Sequence, residues 1–491
     1  MLDKLADLAV RVGMNVQPGQ VVAISTDVGK EHLTRIVARA AYAAGARFVD
    51  VQYFDVHIKR VRLELAAEET LDFVPPWYGA RMLALGETRA ARLALVGPVA
   101  PDLLADLDHS RVGLDRLPWI AEILELINDR TTNWSSIPCP TPAWARLVHP
   151  ELPEDEALGR LNEEIAFVCR LDGPDPAAAW RERLGDLADA AGRLTDRHFD
   201  ALHFEGPGTD LRVGLLPSSH WATAEFETVE GIGHVANLPT EEVFTSPDPA
   251  RTEGIVRATK PLVFVDGTVV SGLRVRFDGG RAVEIDAEQG ADVIRKHCEA
   301  DEGAARLGEI ALVDRLSRIG SLGTVFFTTL LDENAASHIA FGNGFDFVVD
   351  ESDRARRNAS AIHIDFMIGD DDVAVSGITH AGERVPVPAR RRLADLRASG
   401  LASDHPDEVV SAVPERAARG GRRPERGSVT GLEVALRGDE DRPDLCGREI
   451  ATLQPREQLA AALPPDGAIP VADEDPDPRT RVDRREIDHL L

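Results

Sequence analysis

Ala361-Ile-His-Ile-Asp-Phe-Met-Ile368 alternates apolar residues with His363 and Asp365 at a period of two, the side-chain repeat of a β-strand. One face carries Ile362, Ile364, Phe366 and Ile368. The other carries His363 and Asp365, flanked by Ala361 and Met367. An imidazole and a carboxylate on one strand face are a natural pair of metal ligands. A buried His–Asp hydrogen bond or an exposed polar face fits the same pattern, so the rest of the chain has to decide.

Working outward, short strand-like runs separated by Gly, Pro and Asp fill the region from Asp200. They include Ala201–Phe204, Leu211–Leu215, Leu262–Val265 and Val275–Phe277. This pattern predicts an antiparallel α+β domain. Before it, helical sequence from about Glu154 to Leu194 follows a Ser-, Thr- and Pro-containing stretch, Asn133–Pro142, read as a loop. Nearer the N-terminus, amphipathic helices at Leu2–Val12 and Lys30–Gly45 alternate with the apolar runs Val21–Ser25, Arg47–Tyr53 and Leu93–Gly97. That alternation predicts an α/β domain with a largely parallel sheet. Ser25-Thr-Asp-Val-Gly-Lys30 has neither the P-loop nor the dinucleotide glycine spacing. The expected divisions are 1–185 (α/β), 186–390 (α+β, metal-binding and catalytic) and a tail, 391–491.

The tail has no Phe, Trp or Tyr and carries 21 Asp and Glu against 16 Arg. So little apolar bulk predicts disorder. The whole chain of 491 residues has a net charge of -28, which argues against a nucleic-acid partner. Four widely spaced cysteines, Cys139, Cys169, Cys298 and Cys446, suit a reducing compartment. No run of about eighteen uncharged apolar residues is present, so no membrane partner is expected and the predicted location is cytoplasmic.

Other carboxylates and imidazoles stand at the edges of apolar runs: Glu241 and Glu242 in Thr240–Thr245, Glu309 in Leu307–Val313, and Glu333 and His338 after the apolar run Val325–Leu331, read as a strand. Each alone fits a helix cap, a solvated turn or a satisfied histidine. Together, Glu242, Glu309, Glu333, His338, His363 and Asp365 are a thiolate-free donor set suited to divalent Zn, Mn, Co or Fe. Two such ions about 3.5–4 Å apart can activate water and polarise a carbonyl.

Several segments carry a resemblance. Asn237-Leu-Pro-Thr-Glu-Glu-Val-Phe-Thr245, Asp332-Glu-Asn-Ala-Ala-Ser-His-Ile-Ala-Phe-Gly342 and Ile362-His-Ile-Asp-Phe-Met-Ile-Gly369 resemble the signature segments of the thermophilic aminopeptidase family of dinuclear metallopeptidases. Val12–Gly19, Pro140–Trp144 and Phe204–Leu211 extend the likeness over roughly residues 1–388. The resemblance implies an exopeptidase acting on peptides with a free N-terminus, with an α/β domain, a catalytic domain, two divalent metal ions (Zn, Co or Mn) and a homodimeric assembly. Carried over residue by residue, it implies Glu242, Glu309, His338, His363 and Asp365 as ligands, and Glu333 as a further ligand or the acid/base group. Glu241 is expected behind the ligands or exposed. At the family's catalytic tyrosine position this chain has Phe345, which lacks a phenol to donate to a developing oxyanion.

A different chemistry fits part of the set. His338, His363 and Asp365 alone form the 2-His-1-carboxylate triad of a mononuclear Fe(II) ring-cleaving dioxygenase. Such a site would not require Glu242 and Glu309, whose presence favours two metals and hydrolysis. A catalytically weak homologue is the remaining alternative, suggested by Phe345.

Overall fold

The computed structural model describes residues 1–387 apart from 116, 119, 265–267 and 315–316; the expected tail lies outside these residues. The N-terminal helix runs as Leu2–Leu8 and continues as a wider turn over Ala9–Gly13. Four parallel strands follow in spatial order Phe48–Phe54, Val21–Asp27, Ala91–Val96 and Trp134–Pro138. Helices cross between them, as parallel pairing requires. Glu31–Ala43 shows why they pack: Leu33, Val37 and Ala41 recur every four residues on its buried face.

The fourth strand corrects the expected loop at Asn133–Pro142. Trp134–Pro138 pairs along Arg92–Val96 and buries Ile137 completely. Its Ser and Pro content hides a strand whose hydrogen bonds come from both neighbours. On its other side Ser136 N donates to Ala236 O at 2.8 Å, and Ser136 O accepts from Leu238 N at 3.0 Å. The segment leading to Glu241 and Glu242 is thereby anchored to the first sheet.

Besides two two-stranded ribbons, the described residues of the second half form two larger antiparallel sheets. One has seven strands, ordered Arg281–Asp286, Arg274–Asp278, Pro247–Arg257, Thr209–Leu215, Ala201–Gly206, Ala374–Ile378 and Arg384–Val387. The other has four, ordered His363–Met367, His338–Gly342, Leu307–Val313 and Glu242–Thr245. Their apolar faces share one core, in which Phe204 and Val213 join Ile310, Ile339, Phe341, Phe366 and Ile368. The face of Ile362, Ile364, Phe366 and Ile368 read from sequence is the one that packs there.

Val325–Leu331 is not a strand. Buried Asp332 accepts hydrogen bonds from Phe326 N (2.7 Å) and Thr328 N (3.1 Å), taking up N–H groups that a strand would give to a neighbour. Phe327 adopts a left-handed φ of 55°, and the chain enters a helical turn at Thr329–Asp332. Trp144 Nε1 donates to Phe326 O at 2.5 Å, tying this bend to the N-terminal half.

Residue 185 falls inside one continuous helix, Pro176–Arg197. Trp180 and Leu184 belong to the first core, whereas Leu187, Ala190 and Leu194 belong to the second. Leu238, Phe326 and Leu331 also enter the first core, so the two halves interlock. Replacing Phe366 by Ala empties a fully buried position and should cost about 3–5 kcal/mol in denaturant unfolding; a loss below about 1 kcal/mol would contradict the packing described.

Candidate metal centre

The four-stranded sheet turns its second face toward a cluster of acidic and imidazole side chains. Each strand contributes: Glu242 from Glu242–Thr245, Glu309 from Leu307–Val313, His338 from His338–Gly342, and His363 with Asp365 from His363–Met367. Antiparallel register brings them together. Ala340 lies between Glu309 and Asp365, and Ala311 pairs with His338. These small, fully buried alanines leave room above the sheet for the longer donors. Glu333 enters from the turn Glu333–Ala335 that precedes the His338 strand.

The donors form two groups. Glu242, Glu309 and His338 offer ligand atoms within 4.8 Å of one another, as do Glu309, His363 and Asp365. Glu309 belongs to both. His338 Nε2 lies 3.1 Å from Glu242 Oε2; His363 Nε2 lies 2.9 Å from Glu309 Oε2 and 3.4 Å from Asp365 Oδ1. His338 Nδ1 is 3.1 Å from Ala336 O, and His363 Nδ1 is 2.9 Å from Asn343 O. A carbonyl only accepts, so each Nδ1 carries the proton and each Nε2 faces the carboxylates, the arrangement typical of ligating histidines.

Burial makes this cluster electrostatically demanding. Four carboxylates face two imidazoles, and only His363 has a side chain as much as 29% exposed. Burial, then the charges of Glu242 and Asp365, pushes the Glu333 carboxyl well above the usual range. Burial likewise raises Glu309, with His363 opposing. For Asp365 the burial penalty is outweighed by His363, and its carboxyl is held low. Burial would lower His338, yet Glu242, Asp365 and Glu309 raise it to about 10. Glu242 Oε2, although close to His338, lacks hydrogen-bond geometry and is a buried acceptor with no hydrogen-bond partner. A buried carboxylate oxygen whose one close polar contact is poorly aligned is costly. A divalent cation among these oxygens and Nε2 atoms would satisfy it, and the oxygen–nitrogen donor set fits one.

Residues behind the cluster hold it. Asn334 Nδ2 donates to Glu333 Oε1 (3.3 Å) and to Leu330 O (3.2 Å), while its Oδ1 accepts from Glu241 N (2.6 Å). Glu241 corrects the expectation of possible exposure: it is fully buried and contacts Arg170 at 2.7 Å and Arg183 at 2.6 Å. Sequence reasoning missed Asn334, Arg170 and Arg183, because the contact that ties each of them to Glu241 is distant in the chain and carries no spacing signal. Phe345 lies beside the cluster, its ring centroid 5.3 Å from that of His363 and 5.2 Å from that of Phe244.

Carboxylates and imidazoles, buried except at His363 and Asp365, converge on one sheet face with no cysteine among the described donors, and define a metal-dependent hydrolase type of site. Residues 1–390 match the thermophilic metalloprotease (M29) family. The chain is 43% identical over 400 residues to aminopeptidase T of Thermus thermophilus, covering 80% of this chain and 98% of that protein. Aminopeptidase 2 of Geobacillus stearothermophilus is 37% identical over 397 residues, covering 79% of this chain and 96% of its own. The solved structure of wild-type AmpT from Thermus thermophilus matches with a TM-score of 0.73 at 42% identity, covering 80% of this chain and 98% of that one. The chain therefore belongs to the M29 metallopeptidases, which implies use of divalent metal.

Two outcomes follow for stability. The ion-free charge pairing of His338 contributes stability that is present below its ordinary value near 6.5 and is lost as pH rises through about 10. Metal competes with these protons. Thermal unfolding with and without a chelator should therefore show the loaded form more stable, with the gap widening from about pH 6 to about pH 8; equal melting at both pH values would exclude ion binding. Separately, Glu241→Gln leaves two arginines facing a neutral amide and should destabilise by about 3–5 kcal/mol in denaturant unfolding.

Proposed function

We propose that this metallopeptidase is an aminopeptidase holding two divalent ions (Zn, Co or Mn), with Glu242, Glu309 and His338 around one and Glu309, His363 and Asp365 around the other. The membership of Glu309 in both donor groups carries this reading. Ions held there would activate a water and polarise the scissile carbonyl. Glu333, buried against the ligands and held by Asn334, is the group that holds and moves the proton, and removing such a group typically costs about 10²–10⁴-fold in rate.

Peptides with a free N-terminus suit the surrounding charge, because their α-ammonium is drawn to a carboxylate-rich site. The reading also keeps a homodimer and a cytoplasmic location; among the described residues no helix is long and apolar enough to cross a membrane. The dioxygenase alternative is dropped. His338 falls in one donor group and His363 with Asp365 in the other, and three further glutamates, Glu242, Glu309 and Glu333, occupy the cluster.

Phe345 favours a slow enzyme. Its ring stands next to His363 without a hydroxyl to donate to an oxyanion. Hydrolysis of leucyl-anilide with added Co or Mn tests the main reading, and Glu333→Gln should lower kcat at least ~100-fold. Phe345→Tyr should raise kcat by about 10²-fold, the usual contribution of one such donor. No turnover by either the wild type or Phe345→Tyr, each carrying its metals, would contradict an aminopeptidase.

A further inference from the structure

Phe345 is the first ring of a longer aromatic run. Phe345 and Phe347 stand 5.3 Å apart between centroids, Phe347 and Phe226 5.1 Å, and Phe226 and Trp134 6.3 Å. Phe244, two residues after the ligand Glu242 on the same strand, packs beneath both Phe345 (5.2 Å) and Phe347 (6.2 Å). These phenylalanines form a cluster of their own with Ala311, separate from the main cores. Phe244 is buried, whereas Phe226, Phe345, Phe347 and Trp134 are only half-buried. The wall is thus an apolar surface that starts at the metal cluster and remains partly open.

The wall is also held in place from behind. Phe345 N donates to Ser246 Oγ at 2.8 Å, and Phe347 O accepts from His220 Nε2 at 2.8 Å. Aromatic rings fixed this way present large area at little entropic cost on binding. Partly open aromatic surface beside a reacting centre is expected to contact substrate rather than solvent.

We propose that Phe345, Phe347 and Phe226 line the subsite for the side chain of the substrate's N-terminal residue and select large apolar and aromatic residues over small ones. This rests on the aminopeptidase reading, because the α-amine and first carbonyl must lie at the carboxylate cluster for the first side chain to meet Phe345. With the tyrosine hydroxyl absent, the wall is apolar up to His363, so it also disfavours an acidic or amide first residue.

The test uses the full-length, metal-loaded chain and a ligand series that needs no turnover: the hydroxamates of L-alanine, L-leucine and L-phenylalanine, with dissociation constants measured by titration. Apolar pockets separate ligands by roughly 10–200-fold per methylene-sized difference. The wild type should bind the leucine and phenylalanine compounds at least ~10-fold tighter than the alanine compound. Phe347→Ala should shrink that ratio to within about threefold while leaving the alanine hydroxamate unchanged. Should Phe347→Ala fail to fold, Phe347→Leu, which keeps the core filled, should still weaken the phenylalanine compound more than the alanine one. A wild type without preference, or variants that weaken all three ligands equally, overturns the subsite. Absent peptide hydrolysis alongside an intact hydroxamate preference would instead count against the aminopeptidase reading alone.

Discussion

The shared carboxylate of Glu309 is the constraint around which the structure is arranged. It lies on a strand buried along its whole length, reaches His363 at 2.9 Å, and joins both donor groups. Buried carboxylates this close cannot all remain ionised without compensating charge. Protons supply some of that compensation, as the raised Glu309 and Glu333 carboxyls and the raised His338 imidazole indicate, but Glu242 Oε2 keeps only an unaligned 3.1 Å contact with His338. Divalent cations answer the same imbalance with stronger and more directional charge.

The rest of the fold serves to hold these donors against their mutual repulsion. Antiparallel pairing sets the heights of Glu309, His338 and Asp365 on one face, while the opposite face is locked into a core shared with a seven-stranded sheet. Glu242 is placed from further away. Its segment bridges to Ser136 in the first sheet, and its neighbour Glu241 is clamped by Arg170 and by Arg183 on the long helix. A buried ion triad of this kind is a poor source of net stability; here it fixes the position of the strand that carries the donor Glu242. The N-terminal half thus has a mechanical part in the site although, among the described residues, its sheet contributes none of the clustered donors.

Much of this was legible in the sequence because period-two alternation and helical spacing report burial directly. His363 and Asp365 lie on the face opposite Phe366 and Ile368, as the alternation in Ala361–Ile368 requires, and three of the four parallel strands of the first sheet fall where apolar runs alternate with amphipathic helices. What was not legible depended on long-range partners. Trp134–Pro138 looks like a loop because its Ser and Pro residues conceal a strand fed by hydrogen bonds from two sides. Val325–Leu331 looks like a strand because nothing local reveals that Asp332 will take its backbone donors. Whether Glu241 sits behind the donors or at the surface is open in the sequence until Arg170, 71 residues away, closes on it. The resemblance to dinuclear metallopeptidases named the donor residues that the fold brings together, whereas their convergence on Glu309 emerges from strand register that composition does not encode.

Metal content per chain, measured on dialysed wild type and on Glu309→Gln reconstituted with Zn, Co or Mn, tests the central claim most directly. A site built around a shared glutamate predicts two equivalents in the wild type and weakened retention of both ions after the single substitution. One iron per chain in the wild type, or a Glu309→Gln variant that still holds two ions with unchanged affinity, would contradict it.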